Sequence, residues 1–385
     1  LSDRILYYST NKDLNTEEIK GFKAEVSFKE ALFMGQAPDD GLFMPNSLPE
    51  LYKEEILSLK DRPYYEVAFE ILWKYLKDDI GIERLKEICR DAYTFSIPME
   101  KITGEIYLAR MDQGPTASFK DFAAQLMSRL MEALKDEDQE ITVLVATSGD
   151  TGSAIGNAYK DLPGINVFIL YPELEVSERQ KKQLNSIGNN TTTIAIDGKF
   201  DDCQRLVKQA FGDSELRGLN LTSANSINIG RILPQIVYYF YAYVNVIDEI
   251  KPVVFSVPSG NFGNSLGCEI ARRMGLPVET LIIATNENDE FPKFLETGSY
   301  AKVDPSRKCL SNAMNVGNPS NLARYFALYG GTVDKEGNVH KKPDVEKMRQ
   351  NLYSVSISDE ETIKTIEEIY ENYNVLLEPH GAVGV

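Results

Sequence analysis

Two runs of β-branched and aliphatic residues, Ile141-Thr142-Val143-Leu144-Val145 and Val253-Val254-Phe255-Ser256-Val257, each give way to a glycine-rich turn and then to a helical pattern. Continuous apolar runs of this kind read as strands buried on both faces. Around the first run the polar and apolar positions predict strand 106–110, helix 119–135, strand 141–146, helix 152–160, strand 165–170, helix 177–187, strand 192–196 and helix 201–211. Around the second they predict helix 228–248, strand 252–257, helix 263–274 and strand 279–284. Such alternation points to parallel sheets with helices on their faces, an α/β fold. Residues 1 to about 95 mix short helical patterns with turns: Ser27 with Glu30 three positions on reads as a capping box, and Ala37-Pro38-Asp39-Asp40-Gly41 as a turn. The aromatic cluster Tyr238-Tyr239-Phe240-Tyr241 with Tyr243 sits in a long apolar segment, so it predicts a buried helix face rather than a stacking platform.

The two glycine-rich turns repeat one another. The first reads Ser148-Gly149-Asp150-Thr151-Gly152-Ser153-Ala154-Ile155-Gly156 and the second Ser259-Gly260-Asn261-Phe262-Gly263-Asn264-Ser265-Leu266-Gly267. Unpaired N–H groups at a helix N-terminus, with the positive end of the helix dipole, form an anion site wherever glycine lets the backbone approach closely. A single such turn can be plain topology; two copies in one register suggest two anionic groups, on one ligand or on a cofactor and its substrate. The spacing G-x-x-G-x-x-x-G is not the Rossmann fingerprint, and no Gly-Lys-Ser/Thr follows, which argues against dinucleotides and nucleoside triphosphates.

Composition narrows the chemistry. The chain has 385 residues, enough for two or three domains, with 41 basic and 58 acidic side chains and a net charge of −17. That balance disfavours nucleic acid and anionic membrane surfaces as partners. No uncharged apolar stretch reaches the roughly 18 residues of a bilayer span, and the N-terminus lacks a signal-peptide layout. Cys89, Cys203, Cys268 and Cys309 are scattered without a C-x-x-C pair, which fits reduced thiols and a cytoplasmic location. With His340 and His380 the only histidines, neither a zinc site nor a histidine-based triad is supported, and no metal is expected. Chemistry then falls to lysine, carboxylates, hydroxyls or a cofactor.

One lysine stands out. In Gly114-Pro115-Thr116-Ala117-Ser118-Phe119-Lys120-Asp121-Phe122, a turn delivers Lys120 to the first turn of an apolar helix, against the positive end of its dipole. A solvent-facing lysine is one reading of that position and a nucleophilic amine is the other. Two anion cradles downstream favour the second, because a lysine that binds pyridoxal phosphate needs a cradle for the phosphate and another for an amino-acid carboxylate.

Those blocks, together with Ala146-Thr147-Ser148-Gly149-Asp150-Thr151-Gly152, Ser223-Ala224-Asn225-Ser226-Ile227-Asn228-Ile229-Gly230-Arg231 and Glu378-Pro379-His380-Gly381-Ala382-Val383-Gly384, resemble the threonine synthases. The threonine synthases are fold-type II pyridoxal-phosphate enzymes, and the likeness runs through nearly the whole chain. It implies two parallel-sheet α/β domains with the cofactor in the cleft between them, plus an N-terminal extension. On that basis we expect an N-terminal segment at 1–95, a smaller domain at 96–215 and a larger one at 216–385. The resemblance implies Lys120 as the lysine bound to the cofactor, with Phe119 beside it, and Ser259, Gly260, Asn261, Phe262, Gly263 and Asn264 as the phosphate cradle. It implies Ser148, Gly149, Asp150, Thr151 and Gly152 for the substrate carboxylate, with Asp150 near the cofactor's phenolic oxygen. Ser226, Asn228 and Arg231 are candidates for the substrate phosphate, since guanidinium matches phosphate by a forked hydrogen bond; a helix cap followed by a surface arginine is the other reading of that run.

The implied reaction turns O-phospho-L-homoserine and water into L-threonine and phosphate, in a monomer or weak homodimer. Two other readings share these residues: a phospholyase that releases a 2-oxo acid, and a silent binding protein on the same fold. Relatives continue past the Pro-His-Gly-Ala-Val-Gly block into a segment whose hydroxyl meets the pyridine nitrogen. We therefore expect the natural chain to extend by some tens of residues, and we expect no helix in the closing Gly381-Ala382-Val383-Gly384 run.

Overall fold

The computed structural model describes residues 4–147, 149–185, 187, 188 and 190–385. Its first sheet has four parallel strands in the order Thr191–Ile196, Ile165–Pro172, Ile141–Ala146, Leu221–Ser223. Every residue of Ile141–Ala146 is buried, as its unbroken apolar run requires of a central strand. The chain leaves that strand in one direction through two neighbours, then returns to its other side with Leu221–Ser223. The order reverses there, which opens a crevice at the strands' C-terminal ends. Asn225 bridges the crevice: its side-chain N–H donates to the Ala146 carbonyl (2.7 Å) and its Oδ1 accepts from the Ala146 N–H (3.2 Å).

The second sheet also runs parallel, in the order Leu352–Ser356, Val278–Thr285, Val253–Pro258. Helix Gly263–Arg273 connects its last two strands. Between the sheets lies helix Leu233–Val246, with Tyr238, Tyr239, Phe240 and Tyr243 buried in the main hydrophobic core as the aromatic run predicts. It begins later than expected because Asn228 caps a 3-10 turn at Ile229–Arg231 first, and Pro234, lacking an N–H, is confined to the helix's opening turn. The N-terminal segment pairs Tyr7–Ser9 with Phe43–Pro45 and packs helix Tyr64–Leu76 on Leu233–Val246. Its capping box is present, with Glu30 Oε2 accepting from the Ser27 N–H at 2.8 Å.

Three expectations change. The strand expected at 106–110 spans Ile106–Ala109 and pairs antiparallel with Met99–Thr103, outside both parallel sheets. Only Gly104 (φ +50°) and Glu105 separate those strands, a loop too short for a parallel crossover. Strand Leu221–Ser223 falls beyond the expected boundary at 215 yet pairs within the first sheet. Third, the closing run is helical: Pro379–Gly384 forms a short helix whose first N–H groups, on His380 and Gly381, donate to the Glu378 carboxylate. Glu378-Pro379 carried that signal, an acidic cap before a proline at the first helical position. Helix Asp359–Tyr373, with its Ser358–Glu361 capping box, was equally legible by the same rule. Among the described residues no helix is long and apolar enough to cross a membrane.

Candidate active site

Lys120 opens helix Lys120–Leu134, held there by its neighbour Asp121. The buried Asp121 carboxylate accepts from the Thr116 N–H (2.8 Å) and hydroxyl (2.7 Å), folding the Gly114–Ser118 turn back on the helix start. Gly114 is required: a Cβ there would lie 2.5 Å from Asp121 Oδ2. The Lys120 amine sits 5.0 Å from the centre of the Phe119 ring, a cation–π distance, and 3.2 Å from Asp150 Oδ2. Asp150 begins helix Asp150–Tyr159, so the two helix starts meet through one ion pair.

That ion pair holds the Asp150 carboxyl at about 2, chiefly through the Lys120 charge and against the opposing effect of burial. A carboxyl depressed in the folded state stabilises the fold above its unfolded value near 3.9 and loses that contribution as pH falls through the folded one. In the apoprotein the ionised Asp150 carboxylate, with all its partners together, contributes roughly 2 to 3 kcal/mol at neutral pH by this linkage. Asp150→Asn should therefore melt below the parent at pH 7, with the gap closing as pH falls from 4 toward 2. Calorimetry of both apoproteins across that range checks it; a pH-independent gap would contradict the ion pair.

The first cradle is narrower than its sequence implies. Thr147 Oγ1 accepts the N–H groups of both Gly149 and Gly152 at 2.9 Å, taking them out of use as anion donors. Gly152 instead allows close packing, since a Cβ there would meet Thr147, Ile169 and Leu184 within 2.9 Å. Among the described residues the free donors are the N–H groups of Asp150 and Thr151 and the Thr151 hydroxyl, and both residues face the cavity. Ser148 lies outside the described residues.

The second cradle fits a phosphate. Phe262 adopts a left-handed backbone (φ +62°) just before helix Gly263–Arg273, which turns successive N–H groups inward. Among the described residues, the N–H groups of Gly260, Asn261, Phe262, Gly263 and Asn264 have no acceptor. Gly260 lets the loop lie against the 3-10 turn Asn312–Met314; a Cβ would sit 2.8 Å from Met314 Cα. Asn264 Oδ1 accepts from Tyr238 (2.5 Å) and Tyr239 (2.7 Å), leaving its NH2 group free to donate. Those tyrosines are core residues, as their pattern predicts, and their hydroxyls also orient this amide. Ser259 lines the cavity, but its N–H and hydroxyl are spent on Ala284 and Val257.

The substrate-phosphate candidates divide. Arg231 is buried and faces the cavity, so the surface-arginine reading does not hold. Its Nη1 donates to the Ala224 carbonyl (2.6 Å), its Nε has no partner, and burial lowers the guanidinium to about 10. A buried cation with no counterion among the described residues calls for an anion. Ser226 also faces the cavity. Asn228 does not: fully buried, it caps Gly230 and donates to the Leu32 and Ser223 carbonyls, so its polar atoms are occupied structurally. Arg324, which no local pattern singles out, pins the loop by donating to the carbonyls of Phe43, Ser226 and Ile227.

Lys120, Phe119, Asp150, Thr151, the Ser259–Asn264 loop, Ser226 and Arg231 all line one cavity of about 1740 Å³. Residues 94–385 match the family of pyridoxal-phosphate dependent enzymes, and residues 7–93 match the threonine synthase N terminus. The threonine synthase of Escherichia coli is 38% identical over 95% of this chain and 82% of its own length. This chain belongs to the threonine synthase family.

Solved structures agree. The threonine synthase of Escherichia coli superimposes with a TM-score of 0.86 at 37% identity, covering 98% of this chain and 83% of that one. The pyridoxal-phosphate-bound threonine synthase of Brucella melitensis superimposes with a TM-score of 0.89 at 34% identity, covering 99% and 84%. The yeast threonine synthase gives 0.87 at 34%, covering 100% and 83%. The fold is thus fold-type II with an N-terminal domain, the cofactor of the family is pyridoxal phosphate, and the chain is a pyridoxal-phosphate-dependent lyase acting on a small molecule.

Proposed function

We propose that this cavity converts O-phospho-L-homoserine and water into L-threonine and phosphate, with Lys120 as its acid–base group. The observation that carries the reading is the placement of a lysine amine, two sets of free helix-start N–H groups and a buried arginine with no counterion among the described residues around one cavity. Pyridoxal phosphate, when bound, supplies an electron sink for charge developing on the substrate's α and β carbons. The N–H groups of Gly260 to Asn264 and the Asn264 amide would hold its phosphate, and Lys120 would hold its aldehyde carbon.

Substrate binding and proton movement fall to the chain itself. The Asp150 and Thr151 N–H groups and the Thr151 hydroxyl take the substrate carboxylate. Arg231 and Ser226 take the phosphate at the far end and steady it as the Cγ–O bond breaks and the bond's electron pair leaves with it. Lys120 removes protons at Cα and then Cβ and returns one at Cγ and, after water has added, one at Cα. Water adds its oxygen at Cβ and yields a proton, so the product is isomeric with homoserine and phosphate is released in equal amount. Asp150, held ionised, keeps negative charge beside the lysine amine.

Incubation of the holoprotein with O-phospho-L-homoserine, followed by phosphate assay and amino-acid analysis, tests the proposal. Threonine and phosphate should appear in a one-to-one ratio. Phosphate accompanied by 2-oxobutanoate in place of threonine would overturn it in favour of the phospholyase reading, which the relatives' names do not favour.

A further inference from the structure

Gln180 lies on no glycine-rich turn, yet its side chain bonds Asp150, which lines the cavity. It occupies the first turn of helix Glu178–Asn185, and Nε2 donates to Asp150 Oδ1 at 2.8 Å while Lys120 holds Oδ2. The amide orientation is not arbitrary. Ser177 donates to Gln180 Oε1 from both its N–H (3.1 Å) and its hydroxyl (3.0 Å), and that hydroxyl accepts from the Gln180 N–H (3.3 Å). With the acceptor end saturated, only the NH2 end can face the carboxylate. The side chain also lies on the first cradle: a Cβ at Gly149, whose φ is +134°, would come within 2.3 Å of Gln180 Nε2.

We propose that Gln180, braced by Ser177, is a positioning residue that fixes the Asp150 carboxylate with one oxygen turned to Lys120. The inference rests on the reading of Lys120 and Asp150 given above. What distinguishes it from simple helix capping is the choice of amide over acid. Ser177 and Gln180 form a reciprocal capping arrangement that a glutamate serves equally well, and the helix dipole favours the acid in a first turn. A glutamate there would turn a second carboxylate against Asp150. The site's geometry asks for an amide where the helix alone would accept the acid.

Gln180→Glu separates the two roles. The charged group in contact with Asp150 is Lys120; His380 stands at longer range, with its Nε2 accepting from the Ala313 N–H and its other ring nitrogen facing Glu378. An added carboxylate beside Asp150 favours protonated forms of its neighbours, so the pH midpoint of the holoprotein's visible absorption should move up by roughly half a unit or more. Turnover should fall about tenfold or more with KM within about twofold, and the midpoint should move whether or not the like-charge contact lowers the melting temperature. Ser177→Ala, which loosens the brace without touching Asp150, should shift the same midpoint in part. A Gln180→Glu protein that titrates and turns over like the parent would overturn the proposal, as would a turnover loss matched by a fall in melting temperature with the midpoint unmoved. Failure of the underlying reading shows separately, as cofactor attachment at a lysine other than Lys120.

Discussion

Lys120→Ala should abolish turnover and covalent retention of the cofactor together. General acid–base catalysis alone contributes about 10² to 10⁴ in rate, and the alanine protein loses the covalent tether as well, so phosphate release should drop by at least about 10⁴-fold. Borohydride treatment of the parent holoprotein should leave the cofactor's mass on the peptide spanning Lys120, and the same treatment of the variant should leave none. The structure adds a second consequence. Asp150 loses the charge that holds it ionised, so the variant apoprotein should melt below the parent at neutral pH, by a margin that shrinks as pH falls from 4 toward 2. A reduced adduct on another lysine would remove Lys120 from its assigned role.

Arg231→Met should weaken substrate binding by roughly 2 to 5 kcal/mol, the range seen when one member of a desolvated charge pair is removed. Methionine keeps much of the aliphatic volume, so packing against the core is largely conserved. Cofactor absorbance should persist, because the cofactor's phosphate is assigned to the other cradle. KM should rise steeply, and a substrate analogue lacking the phosphate should bind parent and variant alike. Unchanged KM and kcat would mean that Arg231 serves only the Ala224 carbonyl it already touches.

The parallel sheets were legible because a central strand such as Ile141–Ala146 must be apolar on both faces, which leaves a signal in consecutive residues. Lys120 and both glycine-rich turns were legible for a related reason: helix starts and tight turns are local chemistry written in adjacent positions. Asn228 kept two readings in the sequence because a capping asparagine and a ligand-binding asparagine look the same in one dimension. What separated them was burial against Leu32, a residue nearly two hundred positions away. Gly149 and Gly152 read as anion donors in one dimension, but Thr147, itself part of the motif, accepts both N–H groups.

Gln180, Arg324 and the Tyr238 and Tyr239 hydroxyls carried no readable signal of a place in the site. Each acts on a residue far along the chain, and only packing brings the pair into range. By itself the amino-acid sequence determined the α/β class, the lysine at a helix start and the two helix-start turns, because these depend on hydrophobic periodicity and on residues within a few positions of one another. The tertiary structure decided which donors in those turns remain free, which way the Asp150 carboxylate faces, and that Arg231 is buried without a counterion among the described residues. Those are long-range properties: an N–H is free, or a charge unpaired, only by virtue of what the rest of the fold does or does not place beside it.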